Sequence, residues 1–299
     1  MTRPPDGAER ALFHDSPLAA LPLLSASPER APRARWLLGA ALGALGRYGE
    51  ARAVLTALDR PYASLAASTI ASHYRQLGRH AEARSWDDRA LDLAGDDPEA
   101  LFDARLGLAA DAVGAGDLAG ARTGLAAVPL LAACDATRRV SERVASHGGG
   151  GWRQRVRIGW VETEIALLSG DPSGAIRAAT AGLAVAKDGA APRHIAKCLL
   201  FLGASQHAAA ENRPDEAMVT AAVATLERAA AAAGTVGATP LTWVIEYLLA
   251  RRCGSAGHAQ RHRLAAAAAV QDIAAGLPDP DKSLWLERPD IAGIVSVST

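Results

Sequence analysis

The string HGGGG, His147 to Gly151, is the part of this 299-residue chain best suited to chemistry. Consecutive glycines after a histidine can turn backbone N–H groups toward an oxyanion, the device that stabilises the tetrahedral intermediate of acyl transfer. That chemistry also needs a nucleophilic serine on a sharp GxSxG turn. The nearest strings, GASQH (Gly203 to His207) and CGSAG (Cys253 to Gly257), do not fit, and both lie in alanine-rich helical sequence. A flexible loop is the better reading of the glycine run, and a hydrolase using an HGGG-like loop is the least favoured function.

The eight histidines show no HExxH or other paired metal spacing. His258 and His262 share a helix face, but Arg261 and Arg263 beside them argue for a positive, solvated surface. His194 and His207 read as surface or hairpin residues rather than bases. Cys134, Cys198 and Cys253 are odd in number and outside any CxxC spacing, which suits small buried side chains in a reducing compartment. No catalytic residue, metal ligand or cofactor is expected, and the chain reads as a non-enzyme.

Net charge is zero, which removes any whole-protein argument for nucleic acid or an anionic membrane. No uncharged apolar run reaches the length of a membrane span, and no secretory leader is recognisable, so the cytoplasm is the expected location. The charge is uneven along the chain. Asp87 to Ala104 is acidic, whereas Thr137 to Arg157 and Arg251 to Arg263 are basic. Solvated faces explain such runs most simply; the functional reading is an acidic first half and a basic second half that orient a partner.

Whatever these side chains do, helices must hold them. The chain carries about 70 alanines and few aromatics, a balance far from ordinary usage that favours closely packed helices over sheet. One phrase recurs. GRYGEA (Gly46 to Ala51), GRHAEA (Gly78 to Ala83), GDLAGA (Gly116 to Ala121) and GDPSGA (Gly170 to Ala175) each place a helix-ending glycine, a polar turn and an alanine. NRPDEA (Asn212 to Ala217) and GSAGHA (Gly254 to Ala259) are weaker versions. The copies lie roughly 32 to 54 residues apart, near the period of helical solenoids. The alanine is expected where the two helices of a hairpin touch.

These residues resemble tetratricopeptide repeats (TPR). Leu38, Gly39, Leu42, Gly46, Tyr48, Ala51 and Leu55 follow the pattern in the first repeat, and Tyr74, Gly78, Ala83, Ala90 and Pro98 in the second. Leu108, Ala109, Gly116, Ala121, Leu125 and Pro129 follow it in the third, and Ala175, Ala217, Ala224, Trp243 and Ala259 continue it loosely. The resemblance implies an all-α, right-handed superhelical solenoid of antiparallel helix pairs. The expected organisation is a lead-in over 1–29, an array of about six repeats over 30–275 interrupted by a loop near 132–152, and a closing helix and tail over 276–299. The stretch Gly276 to Ile294 is similar to the end of TPR-like arrays in bacterial LuxR-type regulators and signalling ATPases.

In TPR proteins the first helix of each pair lines the concave groove. That register implies Trp36, Leu37, Thr69, Ser72, Arg75 and Gln76 there from the first two repeats. Arg157, Trp160, Glu164, Gln206, Val244, Arg251 and Arg252 follow from the later ones. Arginine and tryptophan dominate many interfaces, although Trp36 and Trp160 serve equally well as wedges between repeats. The function this implies is protein–protein interaction in bacterial regulation. The partner is a protein or peptide segment, with an acidic stretch as the best match to the arginines, and pairing of two copies stays open. The alternative is a ligand- or peptide-responsive arm of a transcription regulator. Reversing charge at Arg157 and Arg251 is expected to leave folding intact, as exposed charges contribute little.

Overall fold

The structure, a computed structural model, describes residues 6–26, 31–128, 151–212, 215–252 and 255–296. These residues form sixteen α-helices and no strand. The chain opens with α1 (Asp6–Arg10), a π-helical turn (Ala11–Asp15) and α2 (Pro17–Ser25). Six antiparallel hairpins follow: α3 (Pro32–Ala44) with α4 (Tyr48–Leu55), α5 (Ala63–Gln76) with α6 (His80–Ala94), and α7 (Pro98–Gly114) with α8 (Leu118–Ala126). Next come α9 (Trp152–Leu168) with α10 (Pro172–Asp188), α11 (Pro192–Asn212) with α12 (Glu216–Val236), and α13 (Thr239–Arg252) with α14 (Ala256–Ala275). The chain closes with α15 (Asp279–Glu287) and α16 (Pro289–Val295). The expected interruption near 132–152 falls outside the described residues, apart from Gly151 and Trp152 at the start of α9.

The recurring phrase does its work in the turns. Gly46 (φ 82°) and Gly78 (φ 74°) take the left-handed conformation that ends α3 and α5. The next N–H then folds back onto the helix end: Arg47 N–H donates to Leu42 O at 3.0 Å and Arg79 N–H to Tyr74 O at 2.9 Å. Asp117 to Ala112 and Asp171 to Ala166 repeat that bond after α7 and α9. Aspartates cap the helices that follow, with Asp117 accepting from Gly120 N–H and Asp171 from Gly174 N–H, both at 2.8 Å. Proline opens α2, α3, α7, α10 and α11, where its missing N–H costs nothing.

Ala51, Ala83, Ala121 and Ala175 are fully buried in the hairpin seams. The fifth phrase behaves differently, because Ala217 is exposed. In this hairpin both helices have 21 residues, and the close approach lies further along, at Gly203 against Leu226 and at the buried Ala222. NRPDEA therefore marks a helix start and not a seam.

The two ends of the array meet. Gly49 N–H on α4 donates to Gly276 O after α14 at 3.1 Å. Tyr48 and Leu77 share a core with Val270, Ile273, Trp285 and Ile291. Asp281 of α15 pairs with Arg52 at 2.5 Å and also with Arg79. At the other end of the chain, the π-helical turn reaches α11, and His14 Nδ1 lies 3.0 Å from Gly189 O. A solenoid whose first hairpin touches its last is a closed ring, and its concave face becomes an interior.

Candidate functional site

That interior is a cavity of about 500 Å³. The first helix of every hairpin, α3, α5, α7, α9, α11 and α13, contributes to its wall, with Leu12 and Phe13 from the π-helical turn. The second helices lie outside it; only His80 of α6 reaches in. The volume is that of a small-ligand pocket, and the wall mixes apolar surface with a few charged groups as such pockets do.

On the α5 and α7 side the charges are matched. Arg75 donates to Asp111 at 2.8 Å and also to Asp87, and its Nη1 reaches Gly107 O at 3.3 Å. Asp87 is 0% exposed, and a side chain at Gly107 would collide with its carboxylate, so the glycine makes room for the pair. Burial pushes the Asp87 carboxyl up to about 7 and raises Asp111 as well, against the pull of Arg75. Two carboxylates gathered on one guanidinium oppose each other's ionisation. Asp103, also buried, pairs with Arg157 and lies 3.7 Å from Arg153, which bridges to Glu99 at the same distance. Burial opposes ionisation of Asp103, but the two arginines together hold it below its ordinary value.

The acidic run from Asp87 to Ala104 is thus divided: Asp88, Asp92, Asp96 and Asp97 are exposed, and two of its acids are buried. Asp87 and Asp103 point inward and neutralise the arginines of the groove. For the same reason Arg157 is not a free surface cation, and the expectation that it can be reversed without cost does not hold. Glutamate at this position would face Asp103 in a buried setting.

On the α9 and α11 side lies an aromatic cluster. The His194 ring stacks on Trp160 at 5.4 Å and meets Trp152 edge-on at 5.0 Å, with Phe13 at 6.3 Å. Lys197 Nζ stands 4.2 Å over Trp160 and 5.4 Å from Phe201. Burial, reinforced by Arg193 and Arg153, holds His194 well below its ordinary value and therefore neutral. Burial brings Lys197 down to about 8, with Glu164 pulling the other way.

Of the residues expected in the groove, Trp36, Thr69, Ser72, Arg75, Gln76, Arg157, Trp160, Glu164 and Val244 do line the cavity. Trp36 also wedges between helices, its indole N–H donating to Thr69 Oγ1 at 3.0 Å. Four residues lie elsewhere. Leu37 is one position round the helix from Trp36 and packs with Leu12, Ala20 and Leu24. Gln206 is two positions beyond Ala204 and so lies on the far side of α11. Arg251 and Arg252 share a face with Val244 but sit about two helical turns further on, beyond the cavity. There they pair with Glu211 at 3.1 and 3.4 Å.

His194 and His207, read as surface or hairpin residues, are 5% and 4% exposed. Sequence reasoning missed Arg193, Lys197, Phe13 and Trp152. Its one available signal was PRHIAK, where proline starts a first helix and two cations follow four residues apart on one face. His262 bonds Glu246 at 2.6 Å, and no group of three or more metal-binding side chains occurs among the described residues. Cys198 is buried beneath the Trp160 N–H at 3.2 Å, and burial lifts its thiol to about 11. Cys134, Cys253 and His147 to Gly150 lie outside the described residues. No described helix is long and apolar enough to cross a membrane.

No protein-family model matches the chain, and no curated protein matches it. Among solved structures it is similar to a Rap protein complexed with Competence and Sporulation Factor. The likeness has a TM-score of 0.55 and 10% identity, and it covers 98% of this chain and 84% of that one. At that identity the likeness speaks to fold alone, and the fold is an all-α, TPR-like, right-handed superhelical solenoid of antiparallel helix pairs.

Proposed function

We propose that the chain is a non-enzymatic regulatory module that holds a small molecule or short peptide in its central cavity and presents its outer surface to a protein partner. The closed ring is the observation that carries this reading. Its cavity of about 500 Å³ suits a compact ligand. A partner segment laid along an open groove, the simpler interaction-module reading, would need the contact between the first and last hairpins to open. Arg75 and Arg157 are engaged in ion pairs and His194 is held neutral by burial, which favours binding over proton transfer. The similarity to a Rap protein complexed with Competence and Sporulation Factor supports a regulatory setting. The resemblance of the last helices to those of LuxR-type regulators supports it from the sequence alone. A cytoplasmic bacterial protein working on a separate regulator is the setting in which such a module makes sense.

Native mass spectrometry of gently purified protein tests this. An adduct of small-molecule or short-peptide mass is expected, and it should be lost in Ala110→Trp, which fills the cavity from α7. A preparation without adduct, together with a partner protein that binds the filled variant as tightly as the parent, would move the function to the outer surface.

A further inference from the structure

The cavity charge is unbalanced at α11. Arg193 and Lys197 stand one turn apart on this helix and both line the cavity. Among the described residues no carboxylate lies within ion-pair distance of either. Arg193 Nε is shielded and has no hydrogen-bond partner, and neither has Nδ1 of the buried His194 beside it. The first turn of α11 contains no acidic residue, so the helix dipole adds to the positive sign instead of offsetting it. Arg153 and Arg157 approach from α9. Burial depresses both Arg193 and Lys197 below their ordinary values; Tyr48 opposes this and Arg153 adds to it at Arg193, while Glu164 opposes it and Arg193 and Arg157 add to it at Lys197. A half-buried guanidinium with a shielded Nε and no counter-charge is costly, and an oxyanion on the arginine fork would relieve it. Beside Lys197, Trp160 and Phe201 offer a flat apolar surface.

We infer that Arg193 and Lys197 form the anion subsite of the cavity, taking the carboxylate or phosphoryl group of a small ligand whose planar or apolar body lies along Trp160 and Phe201. This deepens the cavity-binding reading above and rests on it. Glu164 offsets part of the Lys197 charge, so the surplus suits one oxyanion and not a polyanion.

Three probes of similar shape test the assignment on the full chain: 3-phenylpropionate, benzylphosphonate and the neutral 3-phenylpropionamide. Binding is followed by tryptophan fluorescence and by the shift in melting temperature. At least one anion is expected to bind about tenfold or more tightly than the amide, because charge-assisted bonds form in a partly dry site. The order of the two anions identifies the head group. Arg193→Gln should abolish that preference while amide binding is kept, and Arg193→Lys should retain part of it; helical circular dichroism checks that both variants fold. Equal affinity for acid and amide in the parent would leave the cavity a ligand site and overturn the anion subsite. If none of the three binds, the proposal falls; a preparation that also lacks a native adduct then removes the cavity-binding reading beneath it.

Discussion

Arg75 and Arg193 face one cavity from opposite sides, the first held by two carboxylates and the second by none. Both sit on first helices of hairpins, both are enclosed by protein, and local sequence does not distinguish them. Their surroundings do. Around Arg75, Asp87 from α6 and Asp111 from α7 arrive at the same depth, and Gly107 leaves space for them. Around Arg193 stand the Tyr48 hydroxyl and another cation, Arg153, while the adjacent His194 packs on Trp152 and Trp160. One arginine is spent on joining three helices. The other keeps its hydrogen-bonding capacity for something that is not part of the chain.

The largest effect is expected where the charge is matched. Arg75→Met leaves Asp87 and Asp111 buried without a counter-charge and should cost about 3–5 kcal/mol, read from urea unfolding. A variant that unfolds at the same urea concentration as the parent would mean that this network does not hold the α5, α6 and α7 helices together. The contrast with Arg193 would then collapse.

Next come the seams that hold both sides in place. Ala51→Leu and Ala83→Leu should each destabilise by about 1–3 kcal/mol, because both alanines are fully buried between paired helices. Ala217→Leu, at the exposed start of α12, should stay within about 0.5 kcal/mol of the parent. Equal melting temperatures for all three would show that the seams are looser than the burial implies.

These alanines also mark how far sequence reading reaches. Helix ends and seams are local: a glycine, a capping aspartate and an alanine within six residues announce a hairpin such as Gly46 to Ala51 or Gly78 to Ala83. The first-helix rule then located much of the cavity wall, from Trp36 to Val244. What it could not convey is the pairing of distant residues. Arg75 meets Asp111 36 positions away, Arg157 meets Asp103 at 54, and Arg79 meets Asp281 at 202. The first two depend on helix rotation between neighbouring hairpins and the third on ring closure, and composition encodes neither. Gln206, expected in the groove, lies on the far side because a two-residue shift in register turns a helix to its opposite face.

A smaller effect separates the two sides by pH. Asp87 titrates near 7 in the folded protein against an ordinary value of 3.8, so the native state holds its proton more tightly than the unfolded chain. The associated stability is complete below about pH 4 and is lost as pH rises toward 7. The groups facing this carboxylate are Arg75 and Ser68 on α5 and Asp111 on α7, with His80 beside Asp111. Asp87→Asn carries no proton to lose. The melting temperature of the parent relative to this variant should therefore fall between pH 4 and 7. The depressed His73 and His194 push in the opposite sense at acidic pH, and taking the difference between the two proteins cancels them. A difference flat across that range would mean that Asp87 is already ionised at pH 4.

The smallest expected effect is the most discriminating. If Arg193 held the ring together as Arg75 does, Arg193→Met would cost several kcal/mol, as breaking a buried pair does. It has no pair to break. Methionine keeps much of the length of the stem and its contact with the apolar wall, while removing a charge that burial and Arg153 both disfavour. Stability should stay within about 0.5 kcal/mol of the parent, or rise. Measured beside Arg75→Met in the same urea series, the two substitutions make one experiment on two arginines of a single cavity. A large loss at both positions would make α11 as structural as α5. A loss at Arg75 alone would leave Arg193 as a cation that the fold tolerates without using, which is the condition expected of a group kept for a ligand.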